Sequence, residues 1–236
     1  MLQTSGWTVG ASGFHVDVRL AEAGYAAGVT TKAMGNMAEA AARSKALDMA
    51  GLGHHPSYAH KQVHGNAVLD LAKAGPSQQD ADGWLVYDPG RVALVYAADC
   101  MPIYVWDTRG KAATVLHSGW KGTKANIAGE GVKALVARGV KPALAAAAIG
   151  PRIGACCYAV GDEFSEWARP ESLERRGGKL YFDMAAEAKA RLTEAGLRAD
   201  WISVSPACTC CGKDFWSFRR DKQGTRMAAF LARLHG

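Results

Sequence analysis

At 236 residues, of which 49% are hydrophobic and 21% charged, the chain has the make-up of a folded globular protein, not a disordered or fibrous one. Its 28 lysines and arginines outnumber its 22 aspartates and glutamates, for a net charge of +6; the excess is scattered, suits small anions such as phosphate, and without a reader motif excludes nucleic acid as the main partner. No apolar stretch approaches the roughly 18 residues of a membrane helix, and Met1–Leu20 lacks the basic-then-apolar order of a secretory signal, so a cytoplasmic protein with no membrane partner is expected.

In chain order, Met34–Leu52 is alanine-rich, with Met37, Ala41 and Leu47 near helical spacing and Gly51 and Gly53 at its end, and predicts a helix. Tyr58–Val63 predicts a short strand entering a turn at Gly65-Asn66. Trp84–Tyr87 and Val92–Ala98 predict strands of one hairpin, because Asp88-Pro89-Gly90 between them is a turn sequence in which proline presets φ and glycine tolerates positive φ. Ile103–Trp106 and Ala112–Leu116 predict a second hairpin around Asp107-Thr108-Arg109-Gly110. A helix capped by Thr123 is expected to run to Arg138 with Ile127, Ala134 and Leu135 inward, followed by a strand at Leu144–Ile149. In the last third, Asp162–Ala168 predicts a short helix. Asp183 caps a longer one carrying Met184, Ala188 and Leu192, which ends at Gly196. Trp201–Val204 predicts a strand, and Thr225–Leu234 a closing helix. Strands and helices do not alternate strictly, and no repeat or linker interrupts residues 1–236. The expected fold is a single α+β domain with mixed sheets.

Three segments each put a soft or borderline metal ligand at a strand end: Lys61-Gln62-Val63-His64-Gly65, Ala97-Ala98-Asp99-Cys100-Met101-Pro102, and His117-Ser118-Gly119-Trp120-Lys121-Gly122. Loops at strand ends are where a rigid scaffold displays reactive groups. Two imidazoles and a thiolate make a three-ligand set of the kind that leaves a fourth position on zinc open. Spacing alone leaves a satisfied core histidine and a small buried thiol as the blander account. The six cysteines fit a reducing compartment as thiols or ligands. Cys208-Thr209-Cys210-Cys211 suggests a structural zinc, but such a site needs two pairs of ligands and no second pair is evident in the sequence. Buried free thiols are the expectation there.

These segments carry a resemblance. Gln62-Val63-His64-Gly65, Ala98-Asp99-Cys100 with Pro102, and His117 to Gly122 are similar to motifs of the laccase-domain family, whose members are also called multicopper polyphenol oxidase, purine nucleoside phosphorylase or peptidoglycan editing factor proteins. The likeness continues through Ile149 to Gly154, Cys156-Cys157-Tyr158, Cys208-Thr209, Phe215 to Asp221 and Gly224 to Met227. It implies a single domain with a central β-sandwich flanked by helices, and zinc held by His64, Cys100 and His117. It also implies phosphorolysis of adenosine, inosine, guanosine and methylthioadenosine, and deamination of adenosine. The chain departs from the family pattern after Thr30-Thr31-Lys32, where a glycine pair is missing.

For phosphorolysis, basic groups must hold phosphate, and Lys121, Arg152 and Arg220 are the candidates, set against a bland reading as solvated charges. Asp99 is a weak candidate proton carrier, since in an extended segment it points away from Cys100. Three rival readings stand beside the zinc enzyme. Copper on the same ligands would make a polyphenol oxidase, although the chain's seven histidines are too few for the usual trinuclear cluster. Cys100 with His117 as its base would make a cysteine hydrolase or amidase acting on peptidoglycan precursors. A closed site with His60 as a fourth ligand would make a binding module, but His60 stands roughly 13 Å from His64 in an extended strand.

Overall fold

The computed structural model describes residues 6–75 and 79–235; residues 1–5 of the stretch weighed as a leader lie outside them. Two six-stranded mixed sheets pack face to face. The first runs Trp7–Val9, His15–Asp17, Tyr25–Val29, Met227–Arg233, Val92–Ala97, Ser57–Ala59. The second runs Ile202–Val204, Ala145–Ile149, Met101–Asp107, Ala113–Ser118, Gly83–Val86, Val68–Asp70. A small sheet of Ala159–Val160, Lys179–Phe182 and Leu173–Arg176 adjoins them.

The strand residues explain the layers. Along Met101–Asp107, Tyr104 and Trp106 enter the core between the sheets with Trp84, Val95 and Leu231, whereas Met101, Ile103 and Val105 face the other way. There they meet Ile127 and Leu135 of the helix Ile127–Ala137, and Met184, Ala188 and Leu192 of the helix Met184–Glu194. On the far side of the first sheet, Leu94 and Phe230 pack on Ala46 and Leu47 of the helix Ala40–Met49. Both sheets are therefore covered on both faces, and the whole is an α+β sandwich flanked by helices, as expected. No helix among the described residues is long and apolar enough to cross a membrane.

Several local expectations need correction. Thr225–Leu234 is not a helix: Met227–Arg233 is a central strand. Met227, Ala229 and Leu231 fill the inter-sheet core while Ala228, Phe230 and Ala232 fill the helix side. A strand buried on both faces loses the polar alternation that would reveal it, and its alanines and leucine imitate a helix. The strands Gly83–Val86 and Val92–Ala97 are both present but do not pair; the Asp88-Pro89-Gly90 turn carries the chain from the second sheet to the first. The second hairpin forms as expected, with Pro102 opposite His117. The helix expected over Met34–Leu52 is only Ala40–Met49, because Gly35 takes a φ of 92° and breaks it from the short turn Lys32–Met34. The strand expected at Tyr58–Val63 is Ser57–Ala59. Thr123 does not cap the long helix; Asn126 does, accepting the Gly129 N–H at 3.1 Å. Asp183 caps its helix as read, through the N–H groups of Ala185 and Ala186.

Candidate metal centre

The hairpin Met101–Asp107/Ala113–Ser118 positions two of the three expected ligands. Cys100 immediately precedes the first strand and His117 lies near the end of the second. His64 arrives on the turn after Ser57–Ala59, and its ring meets that of His117 at 4.9 Å between centroids. One ligand atom from each of His64, Cys100 and His117 falls within 4.8 Å of the others. His117 is buried and His64 exposed, so the group has a closed and an open side. Gly119 is required here for space: a Cβ would lie 2.9 Å from His64 Cδ2 and 3.0 Å from Cys100 Sγ.

Asp82, which sequence reasoning missed, organises this centre. Its fully buried carboxylate accepts the Nδ1–H of His117 at 2.8 Å and the main-chain N–H groups of Val63, His64 and Gly65 at 3.3, 3.0 and 2.7 Å. One side chain thus holds Nδ1 of His117, leaving Nε2 as the atom free to ligate, and holds the backbone of the turn that carries His64. His64 itself sits at a φ of 59°, a conformation uncommon for a non-glycine residue and held here by those bonds. Nothing in Ala81-Asp82-Gly83-Trp84 separates this aspartate from a strand-edge residue; its role follows from a contact 35 positions away.

The electrostatics follow from the same contacts. Burial opposes ionisation of Asp82, but the bonds from His117, Gly65 and His64 hold its carboxyl below the usual range. Burial likewise disfavours the imidazolium of His117, yet Cys100 and Asp82 raise it to about 9. Burial pushes the Cys100 thiol up, and His117 and His64 reverse that and bring it down to about 6. Without a metal the pair is thiolate and imidazolium. His2Cys is a donor set for zinc or copper; an ionised thiol, a cleared space at Gly119 and a His117 ring held at Nδ1, so that Nε2 can ligate once its proton is displaced, fit such an ion.

His60 stays out of this group. It is buried, stacks on Trp84 at 3.7 Å and bonds the Gly83 carbonyl at 2.7 Å. Asp99, at a φ of 79°, directs its carboxylate to the Thr209 hydroxyl and the Arg219 N–H, both at 2.6 Å, and so braces the residue before Cys100. The three cations expected to hold phosphate are placed elsewhere. Lys121 is exposed beside the Trp120 ring. Arg152 is buried and donates to the Ser205 carbonyl at 2.8 Å. Arg220 donates to the carbonyls of Thr209, Gly212 and Phe215 at 2.8, 2.6 and 2.9 Å.

The cations near the centre are others. A cavity of about 660 Å³ touches His64, Cys100 and His117 and is also lined by Arg43, Arg226, Gln62 and Tyr96. A second, of about 300 Å³, meets Cys100 from the side of Ile153, Tyr158 and Arg219. Phe218, exposed despite its size, borders both.

Comparison with known proteins agrees with this architecture. Residues 23–233 match the family model described as multi-copper polyphenol oxidoreductase laccase. The purine nucleoside phosphorylase of Aquifex aeolicus is 34% identical over 175 residues, 74% of this chain and 82% of that protein. Purine nucleoside phosphorylase YlmD of Geobacillus stearothermophilus is 35% identical over 184 residues, 73% of this chain and 66% of the relative. The crystal structure of YlmD superposes with a TM-score of 0.87 at 27% identity, covering 98% of this chain and all of that one. That of Bacillus licheniformis YfiH gives 0.85 at 26% identity, over 97% and 99%. By sequence and by fold, the chain belongs to the laccase-type family of the YlmD and YfiH proteins.

Proposed function

We propose that the protein is a zinc-dependent purine nucleoside enzyme that phosphorolyses adenosine, inosine, guanosine or methylthioadenosine and deaminates adenosine. The observation that carries this reading is the convergence of His64, Cys100 and His117 beside a cavity of about 660 Å³, a size that admits a nucleoside, with Arg43 and Arg226 in its wall. The relatives named purine nucleoside phosphorylase support the substrate class. Zinc on the three ligands would supply a Lewis acid with an open position toward the cavity.

The chain's own groups account for the rest. Phosphorolysis joins a phosphate oxygen to C1′ and breaks the C1′–N9 bond, and the electron pair and a proton leave with the base. Arg43 and Arg226 hold phosphate by charge-assisted hydrogen bonds. Tyr96 and Phe218 offer ring faces to the purine. Asp82 keeps His117 in one tautomer and orientation. The test incubates wild type and Cys100→Ala with adenosine, with and without phosphate. Phosphate-dependent adenine, or inosine, lost in the variant together with the metal of this centre is expected; turnover unchanged by Cys100→Ala would sink the reading.

Two other readings each have an observation in their favour. The family description favours copper on the same ligands and oxidation of polyphenols. Met101 would not complete a blue-copper set there, since it is buried in the core on the helix side of the second sheet. The series Asp82–His117–Cys100 favours a cysteine hydrolase of an amide, because it has the order orienter, base, nucleophile. The metal at His64, Cys100 and His117 decides among the three: copper there with catechol turnover supports the first, and a centre without metal whose Cys100 alkylates freely supports the second.

A further inference from the structure

Outside that centre, a second set of sulfurs converges. Cys156 and Cys157, from the loop after Ala145–Ile149, meet Cys208 and Cys211, from the loop after Ile202–Val204, with all four Sγ atoms within 4.8 Å of one another. Cys211 Sγ lies 3.2 Å from both Cys156 Sγ and Cys157 Sγ. We propose that these four cysteines form a closed structural site for one zinc ion, which clamps the two loops together at the edge of the active cavity.

Four thiolates and no open position make the usual closed zinc set, and Zn–S bonds of about 2.3 Å place the sulfurs roughly 3.8 Å apart, within the range spanned here. Cys208 and Cys211 have the C-x2-C spacing of a zinc-binding turn. The Gly154 N–H donates to Cys208 Sγ at 3.2 Å, the kind of main-chain bond that steadies a metal-bound thiolate.

The turn is also built independently of the sulfurs. Gly212 N–H closes it on the Cys208 carbonyl at 2.9 Å, and the Arg220 guanidinium ties Thr209 to Gly212. A bridge pairs Cys208 with Arg152, and Thr209 N–H donates to the Arg152 carbonyl at 2.9 Å. Arg176 donates to the Ala155 carbonyl on the opposite loop, so cations flank what a tetrathiolate ion would make an anionic site.

A disulfide accounts for less of this arrangement. Cys211 is equidistant from two partners and could bond only one, leaving Cys157 or Cys156 beside it and Cys208 unused. Zinc binding needs no oxidant: thiol protons pass to solvent as four Zn–S bonds form. The ion would hold Ile153 and Tyr158, on the clamped loop, as one wall of the cavity beside Cys100. It would also hold Thr209, whose hydroxyl braces Asp99.

The inference does not rest on the proposed reaction, and the test separates the two. Metal is counted by mass spectrometry in protein purified under reducing conditions, for wild type, Cys100→Ala and Cys208→Ser/Cys211→Ser. The double variant is expected to hold one zinc fewer per chain than wild type, while Cys100→Ala keeps this ion. Should the double variant not fold, Cys100→Ala alone decides: a mercurial should release one zinc as the five remaining thiols react, read with a chromophoric chelator. Cys100→Ala free of zinc, iron in its place, or a mass two hydrogens short that maps to a bridge at Cys211 would overturn the assignment.

Discussion

The two sulfur-bearing clusters of this protein differ in donors, burial and support, and the differences assign them different work. His64, Cys100 and His117 offer mixed ligands, three in number, with His117 buried and a cavity on the open side. Cys156, Cys157, Cys208 and Cys211 offer four like ligands, half of them exposed, between two loops. A three-donor set beside a cavity leaves a position for substrate, whereas a four-donor set closes the coordination and leaves only a cross-link. The supports differ accordingly. Asp82 fixes the orientation of a ligand in the first, while in the second Arg220 and the Arg152–Cys208 bridge fix the backbone.

The largest expected effect is therefore a crossed one. Cys100→Ala should abolish turnover but, keeping the loop-to-loop clamp, lower the thermal midpoint less than removal of that clamp does. Cys208→Ser/Cys211→Ser should do the reverse, retaining turnover at low temperature but melting earlier. A metal present at a hundredfold over its Kd stabilises the folded state by about 2.7 kcal/mol, which for a chain of this size is roughly 5–10 °C in Tm. Calorimetry beside an activity assay reads both. Equal loss of stability in the two variants would erase the distinction between an open and a closed site.

Asp82→Asn sharpens the comparison from the side of the open site. It keeps the shape but removes the charge that His117 and three main-chain N–H groups share. Loss of such a partner typically costs 10–100-fold in metal affinity, measurable by competition with a chromophoric chelator. The cysteine cluster should keep its metal in this variant, and unchanged affinity at the histidine site would remove Asp82 from its role.

Much of the open site was legible in the sequence, and little of the closed one, for a physical reason. Cys100 and His117 flank a hairpin whose turn and strands are local signals, so their meeting follows from pairing Ile103 with Leu116. His64 was singled out with them as a ligand at a strand end, but what brings it to them was not legible, because its turn is held by Asp82, just before Gly83–Val86. The second thiol pair was not legible because Cys156-Cys157 are adjacent rather than in a C-x2-C spacing, and some 50 residues separate them from Cys208. Only the parallel pairing of Ala145–Ile149 with Ile202–Val204, which aligns the loops that follow, brings the four together. The same dependence on long-range burial hid Met227–Arg233, whose alanines look helical until both of its faces are covered.

Proton competition gives a smaller, graded test. In the metal-free protein His117 is raised to about 9 and Cys100 lowered to about 6, so between those values a metal finds the thiolate ready but must displace a proton from His117. Affinity should climb roughly tenfold per pH unit toward pH 9, and fall more steeply below about 6, where the thiol is protonated as well. Stability should show little of this. His117 contributes stability present below its ordinary value of 6.5 and lost as pH rises through about 9. Cys100 contributes stability present above its ordinary value of 9.0 and lost as pH falls through about 6. From about 6.5 to 9, native and unfolded chains bind the same number of protons at the two groups, so their effects cancel. Chelator competition at pH 7, 8 and 9 reads the affinity, and a flat profile would mean that His117 is not a ligand.

The smallest effects concern the arginines, and here the two regions can be told apart by side chains of one type. Arg226 and Arg43 border the cavity of the open site, and each spends hydrogen bonds on nearby carbonyls: Thr225 for Arg226, and Met37 and Ala38, just before its own helix, for Arg43. Arg220 spends its guanidinium on the turn that carries Cys208 and Cys211. A hydrogen bond to a charged group contributes about 1.5–3 kcal/mol, so Arg226→Ala should raise the KM for phosphate on the order of tenfold or more, with kcat for the nucleoside changed less. Arg220→Ala should leave that KM alone and instead loosen the turn, lowering Tm and speeding zinc release to a mercurial. If Arg220→Ala raised the phosphate KM while Arg226→Ala did not, phosphate would bind on the cysteine side of the molecule, and the division between a reacting site and a clamping site would have to be redrawn.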